Sequence, residues 1–459
     1  MTAVLFLPLL IPWLAAVPLV LLDGSRKRVA WLAVAALAVH LTALAVLAAQ
    51  VFAHGPAQAV TGEWPAGVGI VVRADALGMV FALLSSGVLL AALVHETLAG
   101  IEGRRFPAFV VFMAAGLTGL FLARDVFNFY VFFEVAMISA YALSTYGGEA
   151  RQAGAAFVFA VVNLLGSFLF LIAVAGIYHQ TGTLDMDGVT TGLAAAGPNA
   201  SILIAVLVLV AFSVKLGLFP FHPWLPAVYI GARPAVAAIL AGALANIGSY
   251  GVLRFGADLL PAQLRAGSIA LVVLGSASIV YGAVQAIGRR DSAEVLAYSA
   301  IGQVGYVLVA VGVGGAVGLG AAVLYAIVNG LNKALLFLSI ELRGWLVGAA
   351  FAIGAFSVVG VPPAAGFLGK VVMFRAGVET GSAALVILIF LGGALSFLYM
   401  FQLYQTDFWA GAREVGRSAP RTRVVVLVLA ALVLGLGAWP EPLLAVSRDA
   451  AAALGEGPP

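Results

Sequence analysis

Long apolar runs alternate with short polar breaks along nearly the whole chain. Each run is about the 20 residues that a helix needs to cross a bilayer. The runs centre near residues 13, 40, 86, 115, 136, 166, 209, 244, 276, 305, 328, 362, 394 and 431, which predicts fourteen transmembrane helices. Only Arg124-Asp125 separates the fourth from the fifth. No polar stretch is long enough to fold as a soluble domain. The expected fold class is therefore all-α, a polytopic membrane protein.

Two of the predicted helices carry breaks. The seventh runs from Lys215 through Pro220, His222, Pro223 and Pro226, and the twelfth from Gly360 through Pro362, Pro363 and Gly366 to Lys370. Proline removes a backbone donor and clashes with the preceding turn. The carbonyls so freed are tolerated at membrane depth only where protein or a water-filled cavity satisfies them. Two breaks five helices apart suggest inverted repeats, with helices 4–8 in residues 107–256 and helices 9–13 in residues 267–408. Helices 1–3 then occupy residues 1–106 and a last helix residues 423–441. Transporters place ion sites at such breaks, although a proline kink can also serve packing alone.

Composition agrees with this pattern. The chain of 459 residues is 63% hydrophobic and 9% charged, against about 25% charged in soluble domains. Cysteine is absent, so disulfides, iron–sulfur clusters and thiolate metal sites are excluded on this chain. No cofactor is expected. The net charge of +3 gives no sign of nucleic-acid binding. The first segment, residues 3–22, lacks a basic leader and a small-residue cleavage site, and reads as a retained span. Arginine exceeds lysine, and alanine, valine and glycine abound, which suggests a GC-rich bacterial genome and a bacterial inner membrane.

Loop charge sets an expected orientation. Arg26, Lys27, Arg28, Arg104, Arg105, Arg151, Arg233, Arg289, Arg290, Arg343, Arg413, Arg417, Arg421 and Arg423 fall on one side. Arg73, Arg124, Arg254, Arg265, Arg375 and Arg448 fall on the other. The positive-inside rule then puts both termini on the extracytoplasmic side.

Candidate chemistry lies in the few charges inside the spans. Three of the four lysines, Lys215, Lys333 and Lys370, sit within or at the break of an apolar segment. A lysine in a membrane helix costs roughly 2.5–3.5 kcal/mol on insertion scales and marks function by default. Unlike arginine, lysine can exchange its proton when buried. Glu134 is the deepest carboxylate, and Lys215 is its candidate partner. A static ion pair that fixes helix packing is the plainer alternative.

Lys333 shares a helix face with Asn329, four residues back, so the two could organise water. Snorkelling to the surface is the alternative, but Glu341 lies about 12 Å further along the helix. Lys370 follows the second break by two turns, and Arg375 already marks the nearby interface. His222, just past the first break, reads equally as a relay group or a water-facing polar group. Arg124 and Asp125 read as an interface pair in which Asp125 could cap the fifth helix. Asn163, Tyr229 and Tyr298 read as packing residues.

Several stretches together resemble a known family. They are Asp125-Val-Phe-Asn-Phe-Tyr-Val-Phe-Phe-Glu134, Asn163-Leu-Leu-Gly-Ser167, Gly176 to Leu184, Lys215 to Pro226, Leu296 to Tyr306, Lys333-Ala-Leu-Leu-Phe337 and Pro362 to Lys370. They resemble the antiporter-like subunits shared by Mrp-type multisubunit Na+/H+ antiporters, membrane-bound hydrogenases and respiratory complex I. The D subunit of Mrp antiporters is the nearest likeness, through lysine at position 370 and the Tyr-Val-Phe-Phe-Glu form. The resemblance implies that Glu134 and Lys215 form a proton-loading pair, that Lys333 connects, and that Lys370 ends the second half-channel. It implies other hydrophobic subunits as partners, no enzyme chemistry on this chain, and Na+, if it moves, on a partner subunit.

Three departures accompany the likeness. Asn246 stands where the family usually has a lysine in the eighth helix, and Asn329 where a histidine is frequent. The loop from Glu341 to Trp345 is short where relatives carry a longer amphipathic piece. The leading expectation is a proton-translocating subunit of a multisubunit cation/proton antiporter. The alternatives are the same fold in a redox-driven complex, or a non-conducting scaffold because asparagine cannot take up a proton.

Overall fold

The computed structural model describes residues 2–63, 69–409 and 420–455. Arg413 and Arg417 of the orientation argument lie outside the described residues. Among the described residues the chain is a helical bundle with one antiparallel pair of strands. In order it runs α1 Thr2–Leu21, α2 Lys27–His54, β1 Ala57–Val60, β2 Val71–Ala74, α3 Ala76–Ala99, α4 Phe106–Leu122, α5 Val126–Ser144, α6 Ala150–Thr181, α7 Met186–Ala195, α8 Pro198–Leu216 and α9 Trp224–Gly231. Then come α10 Pro234–Leu259, α11 Pro261–Ala266, α12 Ser268–Ile287, α13 Ser292–Val313, α14 Gly315–Ser339, α15 Trp345–Val359, α16 Gly366–Glu379, α17 Ala383–Trp409, α18 Arg423–Ala438 and α19 Glu441–Ala452.

Among the described residues, 11 helices are long and apolar enough to cross a membrane, or 12 if the bent pair α18 and α19 is one span. The helices α4 and α15 are apolar but shorter. The protein is thus an all-α polytopic membrane protein. Its centre is formed by α10, α13 and α14, each with 94% of its apolar window buried, while α5, α6, α8 and α12 have half or less of theirs buried. Polar groups on the central three are therefore shielded from lipid.

Close helix approach at the centre depends on glycine. A Cβ at Gly242 of α10 would stand 2.8 Å from the Gly330 carbonyl of α14, so these backbones touch. The same stretch of α10 is wound wide, with π-helical turns at Leu240–Leu244 and Val252–Leu259 that flank Asn246–Gly251. Wide turns leave carbonyls for other donors and recur at functional sites.

Both proline-rich segments interrupt helices. The helix α8 ends at Leu216 in front of Gly217 (φ 63°), and α15 ends at Val359 in front of Gly360 (φ 82°). Glycine suits these left-handed caps because it has no Cβ. The backbone freed at each break finds named partners. Trp224 Nε1 donates to the Val214 carbonyl at 3.0 Å, and Phe219 N donates to Ser278 Oγ at 3.1 Å. At the second break Gly366 N donates to Ser357 Oγ at 2.9 Å, and Ala365 N donates to the Val433 carbonyl of α18 at 3.2 Å.

Contacts separate two faces of the bundle. One face joins Gly24 to the Arg104 carbonyl and Arg233 to Glu102. The other gathers Asp75, Arg124, Asp187 and Asp258. Arg124 is not paired with Asp125, as its sequence position suggested. It reaches Asp187 at 2.5 Å and Asp258 at 2.6 Å, because the end of α10 and the start of α7 meet the α4–α5 junction there. Asp125 caps α5, accepting from Asn128 N at 2.7 Å.

Candidate proton-carrying site

Lys215 lies in the last turn of α8, where the break begins, and is buried. Its ammonium donates to the Asn163 carbonyl at 2.9 Å and to Ser167 Oγ at 3.2 Å, both on α6. It also stands 4.2 Å from the centroid of the Phe133 ring. Glu134 follows Phe133 on α5, and its Oε1 is buried without a hydrogen-bond partner. The lysine spends its hydrogen bonds on α6, and Glu134 Oε1 is left without one. Among the described residues no direct ion pair joins Lys215 to Glu134.

From the sequence Asn163 reads as a packing residue, and Ser167 only as part of the family-like stretch. Their spacing of four does place both on one face of α6, and in the fold that face meets the ammonium. A small cavity of ≈ 10 Å³ adjoins Lys215 and Asn163, walled by Met137, Trp224, Tyr229 and α10 residues Leu240, Leu244 and Ile247. Such a volume is about the least that holds one water.

Lys333 and Asn329 share a second cavity of ≈ 10 Å³ with Ser299 and Gln303 of α13. Lys333 is buried, and Asn329 Oδ1 has no partner within the fold. Tyr325 extends this stripe by one more step of four, and its ring stacks on Tyr306 with centroids 5.1 Å apart. The ammonium of Lys370 lies 5.4 Å from the Tyr306 centroid and donates to the Val359 carbonyl at the open end of α15. Lys333, Asn329, Tyr325, Tyr306 and Lys370 thus form one continuous set of neighbours. The two tyrosines were the part that sequence reading missed, although Tyr325 sits four residues before Asn329.

Asn246 joins neither cavity. Its Nδ2 donates to Ser85 Oγ of α3 at 3.0 Å and to the Gly242 carbonyl at 2.9 Å. His222 lines neither cavity, and its Nε2 is paired with the Tyr281 hydroxyl of α12 at 2.9 Å. The fold therefore sets Lys215 against Phe133, the residue before Glu134, and groups Lys333 with Asn329, while Lys370 lies against Tyr306. It leaves α10 standing between the two groups.

The chain is similar to known proteins over nearly its whole length. Residues 123–396 match the family model described as NADH:quinone oxidoreductase/Mrp antiporter, transmembrane. A curated relative named as an antiporter subunit, mnhD2 of Staphylococcus aureus (strain MRSA252), is 29% identical over 474 residues, covering 97% of this chain and 95% of the relative. A chain in the structure of the Mrp complex from Dietzia sp. DQ12-45-1b superposes with a TM-score of 0.90 at 27% identity, covering 99% of this chain and 98% of that one. A chain of respiratory complex I from Thermus thermophilus gives a TM-score of 0.84 at 26% identity, covering 99% and 100%.

Proposed function

Because this chain belongs to the NADH:quinone oxidoreductase/Mrp antiporter family, we propose that it carries protons for a multisubunit Na+/H+ antiporter along Glu134, Lys215, Lys333 and Lys370. It is a membrane subunit of the Mrp-type monovalent cation/H+ antiporter class, a transporter component that works with other hydrophobic subunits. The observation that carries the proton path is the open pair at Lys215. An ammonium held by neutral oxygens beside an unpaired carboxylate has a second position at hand. Closing on Glu134 would favour the charged lysine, and opening would favour release of its proton.

In this reading the chain has fourteen spans, with α15 and α16 as the two halves of one broken helix. Residues 107–256 and 267–408 form inverted repeats. Both termini face the extracytoplasmic side of a bacterial membrane. Lys215 serves the first half and Lys370 the second, with Lys333 between them. Water beside Asn246, Asn329 and His222 would complete the path. Na+ would cross on a partner subunit.

A second reading has an observation of its own. Asn246 is bonded to Ser85 and carries no exchangeable charge, so the two lysine groups could be unconnected and the chain a scaffold. The same fold also occurs in a redox-driven assembly, complex I. Mass spectrometry of the intact complex, pulled down by a tag on this chain, separates these cases. Several small hydrophobic subunits without iron–sulfur proteins support the antiporter, and Na+/H+ exchange in proteoliposomes then tests it. Co-purifying iron–sulfur subunits would favour the redox-driven form, and isolation of the chain alone would remove both.

A further inference from the structure

Asn246, Tyr250, Arg254 and Asp258 recur every four residues and make one polar stripe along α10. The stripe begins at the asparagine between the two lysine groups and ends at the face that carries Asp75. Left open, it would let protons leave the central axis on the wrong side.

Its surroundings have the opposite character. Tyr250 is fully buried and packs against Phe81, Phe121 and Phe129, with ring centroids 5.5, 5.0 and 6.2 Å away. Its hydroxyl donates to the Phe121 carbonyl at 3.1 Å and accepts from Arg254 Nε at 3.1 Å, so both of its roles in a proton wire are taken. Next comes a ladder of buried charge. Arg254 reaches Asp75 at 2.5 Å and Asp258 at 3.0 Å, and Asp258 also meets Arg124 at 2.6 Å.

We propose that the aromatic layer around Tyr250 and the arginine–aspartate ladder next to it seal the first half of the molecule against proton leak toward the Asp75 face. The aromatic layer excludes water. The guanidinium of Arg254 keeps its proton in proteins and so cannot act as a relay station. The seal rests on the reading of this chain as a proton carrier. A ladder that served stability alone would weaken the fold when cut but would not change proton permeability.

The test uses the whole complex in proteoliposomes and measures passive proton influx down a pH gradient without Na+. The double variant R254Q/D75N removes one charge of each sign and keeps the ladder neutral. Its leak is expected to rise about tenfold or more over wild type, with subunit composition unchanged by mass spectrometry. An assembled R254Q/D75N complex as tight as wild type would overturn the seal. If that variant does not assemble, R254K decides the matter, because lysine keeps the charge yet can release its proton. Leak above wild type that grows with pH supports the seal, and leak equal to wild type at every pH overturns it. Na+/H+ exchange by the wild-type complex is measured alongside. An inactive wild type would remove the transport reading and the seal together, whereas an active one with tight variants removes the seal alone.

Discussion

The ammonium of Lys215 stands 4.2 Å from the ring centroid of Phe133, one residue before the unpaired carboxylate of Glu134. Its direct hydrogen bonds go to Asn163 and Ser167, so α6 supplies the position opposite to Glu134. In the proposed switch, a small movement of α5 against α6 would shift the lysine from these partners to Glu134.

Ser167→Ala removes one of the two groups that hold the lysine away from Glu134. A hydrogen bond to a charged group contributes about 1.5–3 kcal/mol, so closure on Glu134 should be favoured and exchange should slow by about tenfold. Initial rates of Na+/H+ exchange in proteoliposomes measure this. Wild-type rates with a wild-type pH profile would mean that α6 plays no part in the switch.

Lys215→Ala and Lys370→Ala, made singly, should each abolish transport by the assembled complex, because each removes a lysine that the proposed path requires. Full exchange in either variant would defeat the proposed route. Blue-native gels would show that loss of activity is not loss of assembly.

Asn246→Lys distinguishes a conducting chain from a scaffold. If the two lysine groups are unconnected, the new lysine should be neutral or should open a leak. Loss of exchange with assembly intact would count against the scaffold, because it shows that Asn246 already lies on a working path.

Gly393→Ala puts a methyl group 3.2 Å from the Lys370 ammonium. The ammonium must then shift slightly against the Val359 carbonyl, and exchange should fall a few-fold. Gly435→Ala, which has nothing within 4 Å of its new Cβ, is the control and should be silent. Equal rates in the two variants would show that the exact seat of Lys370 is unimportant.

Asp75→Asn tests the ion pair with Arg254. Burial alone would raise the Asp75 pKa, but Arg254 beside it holds the carboxyl below its ordinary value. Its contribution to stability is then present above the unfolded pKa of about 3.9 and is lost as pH falls below it. The substitution keeps an N-cap but breaks a buried pair, at a cost of about 3–5 kcal/mol. Thermal unfolding of the complex in detergent should show a lower midpoint at neutral pH and a shallower acid limb. An unchanged midpoint would show that the pair adds nothing to stability.

Local sequence was enough for much of this protein. Apolar run length predicted membrane helices, because a segment without water must satisfy its backbone internally. Prolines at 220, 223, 362 and 363 predicted the two interruptions, since each removes a donor from the ladder that makes a helix. Lysine inside an apolar run marked Lys215, Lys333 and Lys370, because the cost of burying charge is a property of the residue and its neighbours. The tertiary structure alone decided which groups meet. The distance from Lys215 to Asn163 spans 52 positions, and the pair of Arg254 with Asp75 spans 179, so no periodicity could have joined them. Hydropathy also counted Arg124 and Arg254 as loop charges, whereas the fold buries both against aspartates brought in from α7, α10 and the start of α3. A local pattern records what one helix face can do, and packing selects the face it does it with.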